Sequence, residues 1–170
     1  SIEELVKYVK SRKIPHVVIT GGEPTIQKEL GELCERLEDY HITIETNGTI
    51  YTPYGDLISL SPKLSNSTPM SIKKENHERQ RINLPVLERF VERGDYQLKY
   101  VISNDFDIKE ALELTDRIKG DRDKVYFMPE GRNEEELKEK QVWLAERCLD
   151  LGVKYSPRLH INIWGDKRGT

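Results

Sequence analysis

The sequence has few cysteines and no long apolar run. Two cysteines occur in 170 residues. Cys34 and Cys148 lie far apart, so no CxxC motif or longer cysteine cluster has the spacing of a metal site. Both stand in amphipathic helical patterns and are interpreted as buried thiols. No segment approaches the ~20 apolar residues of a membrane span, so we expect a soluble protein.

An excess of basic charge is also missing. Lys and Arg number 27 against 30 Asp and Glu, the formal net charge is −3, and no basic run exceeds a few residues. This balance argues against a protein that binds nucleic acid through its phosphates. A secretory signal segment is absent as well. Together with the low cysteine content, its absence predicts a protein of the reducing cytoplasm.

Length and composition predict one compact domain over residues 1–170. Domains have roughly 150 residues, and 36% of this chain is hydrophobic, which is enough for one core. The chain begins at Ser1 rather than at methionine, and its first segment already has a helical pattern, with Ser1 and Glu4 as a capping box. We therefore interpret the chain as a fragment whose first strand is missing.

Hydrophobic patterns alternate between strand and helix. Strands are predicted at His16–Thr20, His41–Glu45, Asp56–Leu60, Gln97–Ile102, Lys124–Met128, Val153–Tyr155 and Leu159–Ile163. Helical patterns separate most of them, the clearest at Ile108–Ile118 and Glu134–Leu151, while residues 61–83 are polar and irregular. Such alternation predicts an α/β fold with a mostly parallel sheet.

Polar, glycine and proline residues, together with one methionine, gather where the predicted strands end. In chain order they are Thr20, Gly21, Gly22, Glu23, Pro24, Glu45, Asn47, Ser61, Pro62, Lys63, Ser103, Met128, Pro129, Glu130 and Gly131. Taken singly, such residues are as readily explained as turn formers. Taken together, they occupy the edge of a parallel sheet at which ligands bind.

The chemistry of these residues matches three groups of one ligand. Gly21 and Gly22 allow close approach of the backbone, and Pro24 fixes the exit of the strand. That arrangement leaves neighbouring carbonyls free to accept hydrogen bonds from an ammonium group. Glu45 suits the hydroxyls of a ribose, and Lys63 with Ser61 suits a carboxylate. An ammonium, a ribose and a carboxylate together describe S-adenosylmethionine.

The segments ITGGEPT and IETNGT resemble the motifs of the radical S-adenosylmethionine (radical SAM) superfamily. More narrowly, SLSPKLSNS and the ending SPRLHINIWGDKRGT look like the 7-carboxy-7-deazaguanine synthase family. The resemblance covers almost the whole chain and implies a partial (β/α) barrel. It also implies a lyase that converts 6-carboxy-5,6,7,8-tetrahydropterin to 7-carboxy-7-deazaguanine with loss of ammonia, in queuosine or other 7-deazapurine biosynthesis.

Site residues and cofactors follow from the resemblance. Thr20 and the terminal carboxylate of Thr170 would contact the pterin substrate. Gly22 would bind the methionine amino group and Glu45 the ribose, while the other strand-end residues would line the cofactor. A 4Fe-4S cluster, Mg²⁺, a reducing protein such as flavodoxin or ferredoxin, and a homodimer are implied as well. The cluster cysteines and the Mg²⁺ ligand have no match here and are expected upstream of Ser1, so this fragment alone is expected to be inactive.

Two alternatives stay open. An activase of the same superfamily would install a glycyl radical on a partner protein and would present an exposed partner-binding surface. A degenerate homologue without a cluster would be a non-enzymatic binding module. The sequence also leaves open whether Lys99 and His160 face the site, because a period of two does not say which side of a strand points inward.

Overall fold

The structure is a computed structural model that describes residues 1–68, 80–165 and 167. Within these ranges six strands form one sheet in which every neighbouring pair is parallel. The strands are β1 (His16–Ile19), β2 (His41–Thr46), β3 (Leu57–Leu60), β4 (Tyr96–Ile102), β5 (Val125–Pro129) and β6 (Lys154–Tyr155). They lie side by side in chain order. Right-handed crossovers that always step in one direction place the helices on one face, as in a partial (β/α) barrel.

The helices are α1 (Ile2–Lys10), α2 (Leu30–Arg36), α3 (Leu84–Arg93), α4 (Asp105–Arg117), α5 (Glu134–Leu151) and α6 (Leu159–Trp164). Side chains fix several helix ends. Ser1 and Glu4 form the predicted capping box of α1, and Asn104 and Asn133 accept backbone N–H groups at the starts of α4 and α5. Gly152, in the left-handed region, ends α5. None of these helices is long and apolar enough to cross a membrane.

The two faces of the sheet differ in polarity. One face carries apolar side chains that are fully buried beneath the helices, among them Ile44, Ile58, Leu98, Tyr100 and Phe127. The opposite face carries Glu45, Ser59 and Gln97, because the register pairs Glu45 with Ser59 and Ser59 with Gln97. Lys99, two residues after Gln97, points to the same side. The sheet therefore has a polar surface on the side away from the helices.

The two cysteines belong to the core. Cys34 of α2 and Cys148 of α5 are free and buried, as predicted. Burial raises the pKa of both thiols, that of Cys148 to about 11. Each thiol therefore stays protonated at neutral pH and packs as a small apolar side chain.

The predicted alternation of strands and helices is confirmed, with one exception. The prediction of a strand at Leu159–Ile163 is wrong, because these residues belong to α6. A short run with alternating apolar residues fits either structure, and here Ile161 alone of the helix is buried. The N–H of Gly165 donates to the carbonyl of Ile161 at 2.8 Å and closes the helix. Much of the irregular segment 61–83, namely residues 69–79, lies outside the described residues, as does Thr170.

Candidate functional site

The loop that follows β1, residues 20–24, is called the glycine loop. Gly21 has a φ of +117°, which favours glycine, and no heavy atom lies within 4 Å of the position that a Cβ would take at Gly21 or Gly22. Within the described part of the chain, no donor reaches the backbone carbonyls of Thr20, Gly21 or Gly22. The loop therefore presents open backbone with unpaired acceptors, as the sequence predicts.

Glu23 ties the glycine loop to the end of β2. Its Oε1 accepts hydrogen bonds from the backbone and hydroxyl of Thr25, at 3.2 and 2.7 Å, and from the hydroxyl of Thr46 at 2.6 Å. Its Oε2 accepts the N–H of Asn47 at 2.8 Å. Because both carboxylate oxygens bind groups of the chain itself, Glu23 acts as a clamp between two strand ends. This geometry favours a positioning role for Glu23 over direct contact with a ligand.

Asn47 shapes the turn after β2. Its Oδ1 accepts the N–H of Thr49 at 2.9 Å and the hydroxyl of Thr49 at 2.7 Å. Gly48, with a φ of +75°, has no room for a side chain, because a Cβ would lie 2.4 Å from a methyl carbon of Leu87. The Asn47 oxygen is thus used inside the turn, and among the described residues its amide nitrogen has no hydrogen-bond partner.

Glu45 and Lys99 form an ion pair on the polar face of the sheet. Lys99 Nζ lies 2.9 Å from Glu45 Oε1, and the two side chains are 16% and 34% exposed. Ser59 of β3 and Gln97 of β4 lie beside this ion pair on the same face of the sheet. Gln97 Nε2 donates a hydrogen bond to Ser59 Oγ at 3.0 Å. Lys99 therefore points to the same face of the sheet as Glu45. The sequence alone did not determine the face on which Lys99 lies.

The loop after β3, residues 61–68, is held from two sides. The N–H of Ser61 donates to the carbonyl of Thr46 at 2.7 Å, which ties the loop to β2. Glu110 of α4 accepts both the N–H and the hydroxyl of Ser65, and it pairs with Arg81 at 2.9 Å. Arg81 in turn donates to the carbonyl of Lys63. These bonds fix the backbone of Lys63 while its side chain stays exposed.

Ser103 follows β4 and is fixed by a buried carboxylate. Its N–H donates to Asp107 Oδ2 at 2.7 Å, and Asn66 Nδ2 donates to the same oxygen at 2.7 Å. Asp107 is 3% exposed. The ends of β3 and β4 are thereby joined through one carboxylate.

The segment after β5 contains a second ion pair. Glu130 Oε2 lies 2.7 Å from Lys140 Nζ of α5. Gly131 packs against α5 so closely that a Cβ would lie 2.8 Å from a methyl carbon of Leu137. The carbonyl of Gly131 accepts a hydrogen bond from Arg158 Nη1 at 2.9 Å. Gly131 is thus required by packing, and its carbonyl holds Arg158.

Two of the cavities that the described residues form at the carboxyl edge of the sheet contain predicted site residues. The glycine-loop cavity, of about 400 Å³, is bounded by residues 20–24 and by apolar side chains of α1 and α2. The cationic cavity, of about 720 Å³, is lined by Ser61, Pro62, Lys63, Leu64, Asn66, Ser67, Val101, Ser103, Glu130, Arg132 and Arg158. Its size is that of a pocket for a small organic molecule.

The predicted site residues thus divide into three sets. Thr20, Gly21, Gly22, Glu23 and Pro24 line the glycine-loop cavity, and Ser61, Pro62, Lys63, Ser103 and Glu130 line the cationic cavity. A third set lines neither cavity and comprises Glu45, Asn47, Met128, Pro129 and Gly131. His160 is exposed on α6 and lines neither cavity.

Sequence reasoning missed two cations of the cationic cavity. Arg132 lies between β5 and α5, and Arg158 lies between β6 and α6. Their positions could have revealed them, because both follow the carboxyl end of a predicted strand, as the other candidate site residues do. Arg158 stands in the SPRLH segment, which was interpreted only for its resemblance.

The described residues contain no group of three or more His, Cys, Asp or Glu side chains suited to hold a metal ion. Cys34 and Cys148 lie on different helices and are buried in the core. The part of the chain that the structure describes therefore offers no cysteine ligands for an iron–sulfur cluster.

Comparison with known proteins identifies the family. The radical SAM superfamily pattern matches residues 1–139. The chain is 36% identical to the 7-carboxy-7-deazaguanine synthase of Halobacterium salinarum, over all of this chain and 73% of that protein. It is 33% identical to the protein of that name from Rhodopirellula baltica, over all of this chain and 69% of that protein. The chain therefore belongs to the radical SAM superfamily and, within it, to the family of proteins named 7-carboxy-7-deazaguanine synthase.

Proposed function

We propose that this chain binds S-adenosylmethionine and a carboxylated pterin as part of a radical SAM lyase. The lyase converts 6-carboxy-5,6,7,8-tetrahydropterin to 7-carboxy-7-deazaguanine with release of ammonia, a step of 7-deazapurine and queuosine biosynthesis. The observation that carries the proposal is the glycine loop, whose carbonyls lack donors among the described residues and whose glycines face open space. The names of the relatives supply the product. The pterin substrate follows from the family resemblance.

The glycine loop fits the ammonium group of S-adenosylmethionine. An ammonium group has three N–H donors and no acceptor, so its best partners are oxygen atoms that no other donor uses. The carbonyls of Thr20, Gly21 and Gly22 are such atoms in the described structure. Because Glu23 clamps this loop to β2, the carbonyls keep fixed positions relative to Glu45.

Glu45 fits the ribose of the same ligand. Its carboxylate lies on the neighbouring strand to the glycine loop, on the polar face, with one oxygen against Lys99. Oε2 is not used by that ion pair and accepts hydroxyl donors in our proposal. Lys63, fixed through its backbone but with an exposed side chain, binds the carboxylate of the cofactor.

When bound, the cofactor supplies the hydrogen-abstraction chemistry that starts the ring contraction. The residues of this chain orient the cofactor and the substrate and keep water from the reacting atoms. The described residues do not fit a 4Fe-4S cluster, since Cys34 and Cys148 are buried on separate helices. The family resemblance extends this proposal in four respects. The lyase needs the cluster and Mg²⁺, receives electrons from a flavodoxin- or ferredoxin-like protein, forms a homodimer and is located in the cytoplasm.

Calorimetric titration tests the proposal. S-adenosylmethionine and 5′-methylthioadenosine, which lacks the amino acid group, are titrated separately into the protein. We expect both to bind, with S-adenosylmethionine binding more tightly because only this ligand offers an ammonium to the glycine loop. Absence of binding by both would overturn the proposed function.

A further inference from the structure

Asp107 of α4 is a buried carboxylate that lines neither of the two cavities. It is 3% exposed, and among the described residues no lysine, arginine or histidine side chain forms an ion pair with it. Burial of a carboxylate without a cation costs free energy, which hydrogen-bond donors must offset. The groups that donate to Asp107 therefore show what this carboxylate does in the fold.

The donors to Asp107 come from two walls of the cationic cavity. The N–H of Ser103, after β4, and Nδ2 of Asn66, in the loop after β3, both donate to Oδ2 at 2.7 Å. Asn66 Nδ2 also donates to the carbonyl of Val101 at 3.1 Å. Ser103, Asn66 and Val101 all line the cationic cavity. Asp107 therefore acts on the cavity through the residues that it holds.

Capping of α4 does not account for both bonds of Asp107. Asn104 caps this helix, because its Oδ1 accepts the N–H groups of Phe106 and Asp107 at 2.8 and 3.2 Å. The Asp107 carboxylate binds groups that lie outside the helix, and one of them belongs to a segment 41 positions away in the chain. The bond from Asn66 is thus a tertiary contact between α4 and the loop after β3.

A short turn connects Asn66 to Lys63. Residues Ser65–Ser67 form one turn of 3-10 helix, and the N–H and hydroxyl of Ser67 donate to the carbonyl of Leu64 at 3.0 and 2.6 Å. Leu64 is 2% exposed, which anchors the turn in the core. Lys63 precedes this turn directly, so the place of Asn66 sets the place at which the Lys63 side chain leaves the loop.

We propose that Asp107 and Asn66 are positioning residues for the binding of the cofactor's carboxylate by Lys63. This inference rests on the proposed function, which assigns Lys63 to that carboxylate. Asp107 holds the loop after β3 against the end of β4 and makes no contact with the ligand itself. Without this bond the loop is free to shift, and the ammonium group of Lys63 then meets the carboxylate less closely.

Two forms of the cofactor test this assignment. S-adenosylmethionine and its decarboxylated form are titrated calorimetrically into the wild-type protein and into N66A, D107A and D107N. Asn66 is exposed, so N66A keeps the test valid if D107A does not fold. D107N keeps an oxygen that can accept both hydrogen bonds. D105A is the matched control, because it also removes a carboxylate from the first turn of α4, and Asp105 pairs with Arg147 at 3.2 Å.

We expect the preference for S-adenosylmethionine over its decarboxylated form to fall roughly tenfold in N66A and D107A. D107N and D105A should keep the preference of the wild type. A role in folding alone would lower the stability in urea, or both affinities equally, and leave the preference unchanged.

The variant K63A shows whether the effect passes through Lys63. It should abolish the preference, and addition of N66A to K63A should change the preference no further. An unchanged preference in N66A would overturn the inference, as would a further fall in the double variant. Equal affinity of the wild-type protein for the two forms would overturn it as well, since no carboxylate contact would then exist. If the wild-type protein binds neither form, the proposed function fails and the inference fails with it.

Discussion

Lys99 and Glu45 belong to strands that are not neighbours, yet their side chains meet at 2.9 Å across the polar face of β3. Each residue stands between side chains that are buried on the opposite, helix-covered face of the sheet, namely Ile44 and Thr46 in β2 and Leu98 and Tyr100 in β4. In a partly buried ion pair each charge holds the other in position, and removal of one partner leaves an unpaired charge that costs free energy. The pair therefore fixes the carboxylate that we assign to the ribose.

We expect K99Q to weaken binding of S-adenosylmethionine, because Glu45 then loses the cation that orients it. E45Q should weaken binding more, since it changes the acceptor itself. In the double variant the effect of K99Q should largely disappear, and the coupling should amount to about 0.5 to 3 kcal/mol. Calorimetric dissociation constants for the four proteins give this coupling. Additive effects would show that Lys99 acts independently of Glu45.

G22V is expected to abolish binding of S-adenosylmethionine while the protein stays folded. A Cβ at position 22 meets no heavy atom of the chain within 4 Å, so the added side chain projects into the space assigned to the ligand. G120A is the opposite control, because its Cβ would lie 2.9 Å from a methyl carbon of Leu98 and 3.1 Å from that of Thr115, and both side chains are fully buried. That variant should lose stability in urea and keep its affinity. Normal binding by G22V would remove the glycine loop from the site.

The buried thiols should be inert toward iron and toward alkylating reagents. Burial raises the pKa of Cys34 and Cys148, so both are protonated at neutral pH, and the thiolate is the form that reacts and binds metal. We expect the chain to stay colourless after incubation with iron and sulfide, and to leave S-adenosylmethionine intact. A thiol-reactive dye should label it slowly in buffer and rapidly in urea. A brown, oxygen-sensitive sample would contradict this expectation.

The parts of the fold that could be predicted from the sequence are those with a strong local signal. The runs at His41–Glu45 and Gln97–Ile102 are apolar on alternate positions and become β2 and β4. The capping box of Ser1 and Glu4 needs only residues near in sequence. The SPRLHINIW segment lacks such a signal, because a short alternating run fits a strand or a helix. In α6 it buries Ile161 and leaves its other apolar residues exposed.

Contacts between distant segments account for what the sequence did not predict in the candidate site. The glycine loop could be read from its own residues, since φ at Gly21 and the open carbonyls are local properties. The side on which Lys99 lies depends on the register of three strands. The bond from Arg158 to Gly131 joins residues 27 positions apart. The role of Thr170 stays a prediction, since that residue lies outside the described ranges.

Glu23 offers a test of how the two ligand-binding strand ends are held together. Its carboxylate accepts four hydrogen bonds, three at Oε1 and one at Oε2. In E23Q an NH₂ group replaces one carboxylate oxygen. In either orientation of the amide, this NH₂ donor then faces a backbone N–H donor, that of Thr25 or that of Asn47. We expect a loss of about 1 to 3 kcal/mol in the free energy of unfolding, measured in urea. Affinity for S-adenosylmethionine should fall with it, because the glycine loop and Glu45 lose their common anchor. E38Q, at an exposed position after α2, should change neither quantity. Unchanged stability of E23Q together with lost affinity would show that Glu23 contacts the ligand directly and does not position the loop.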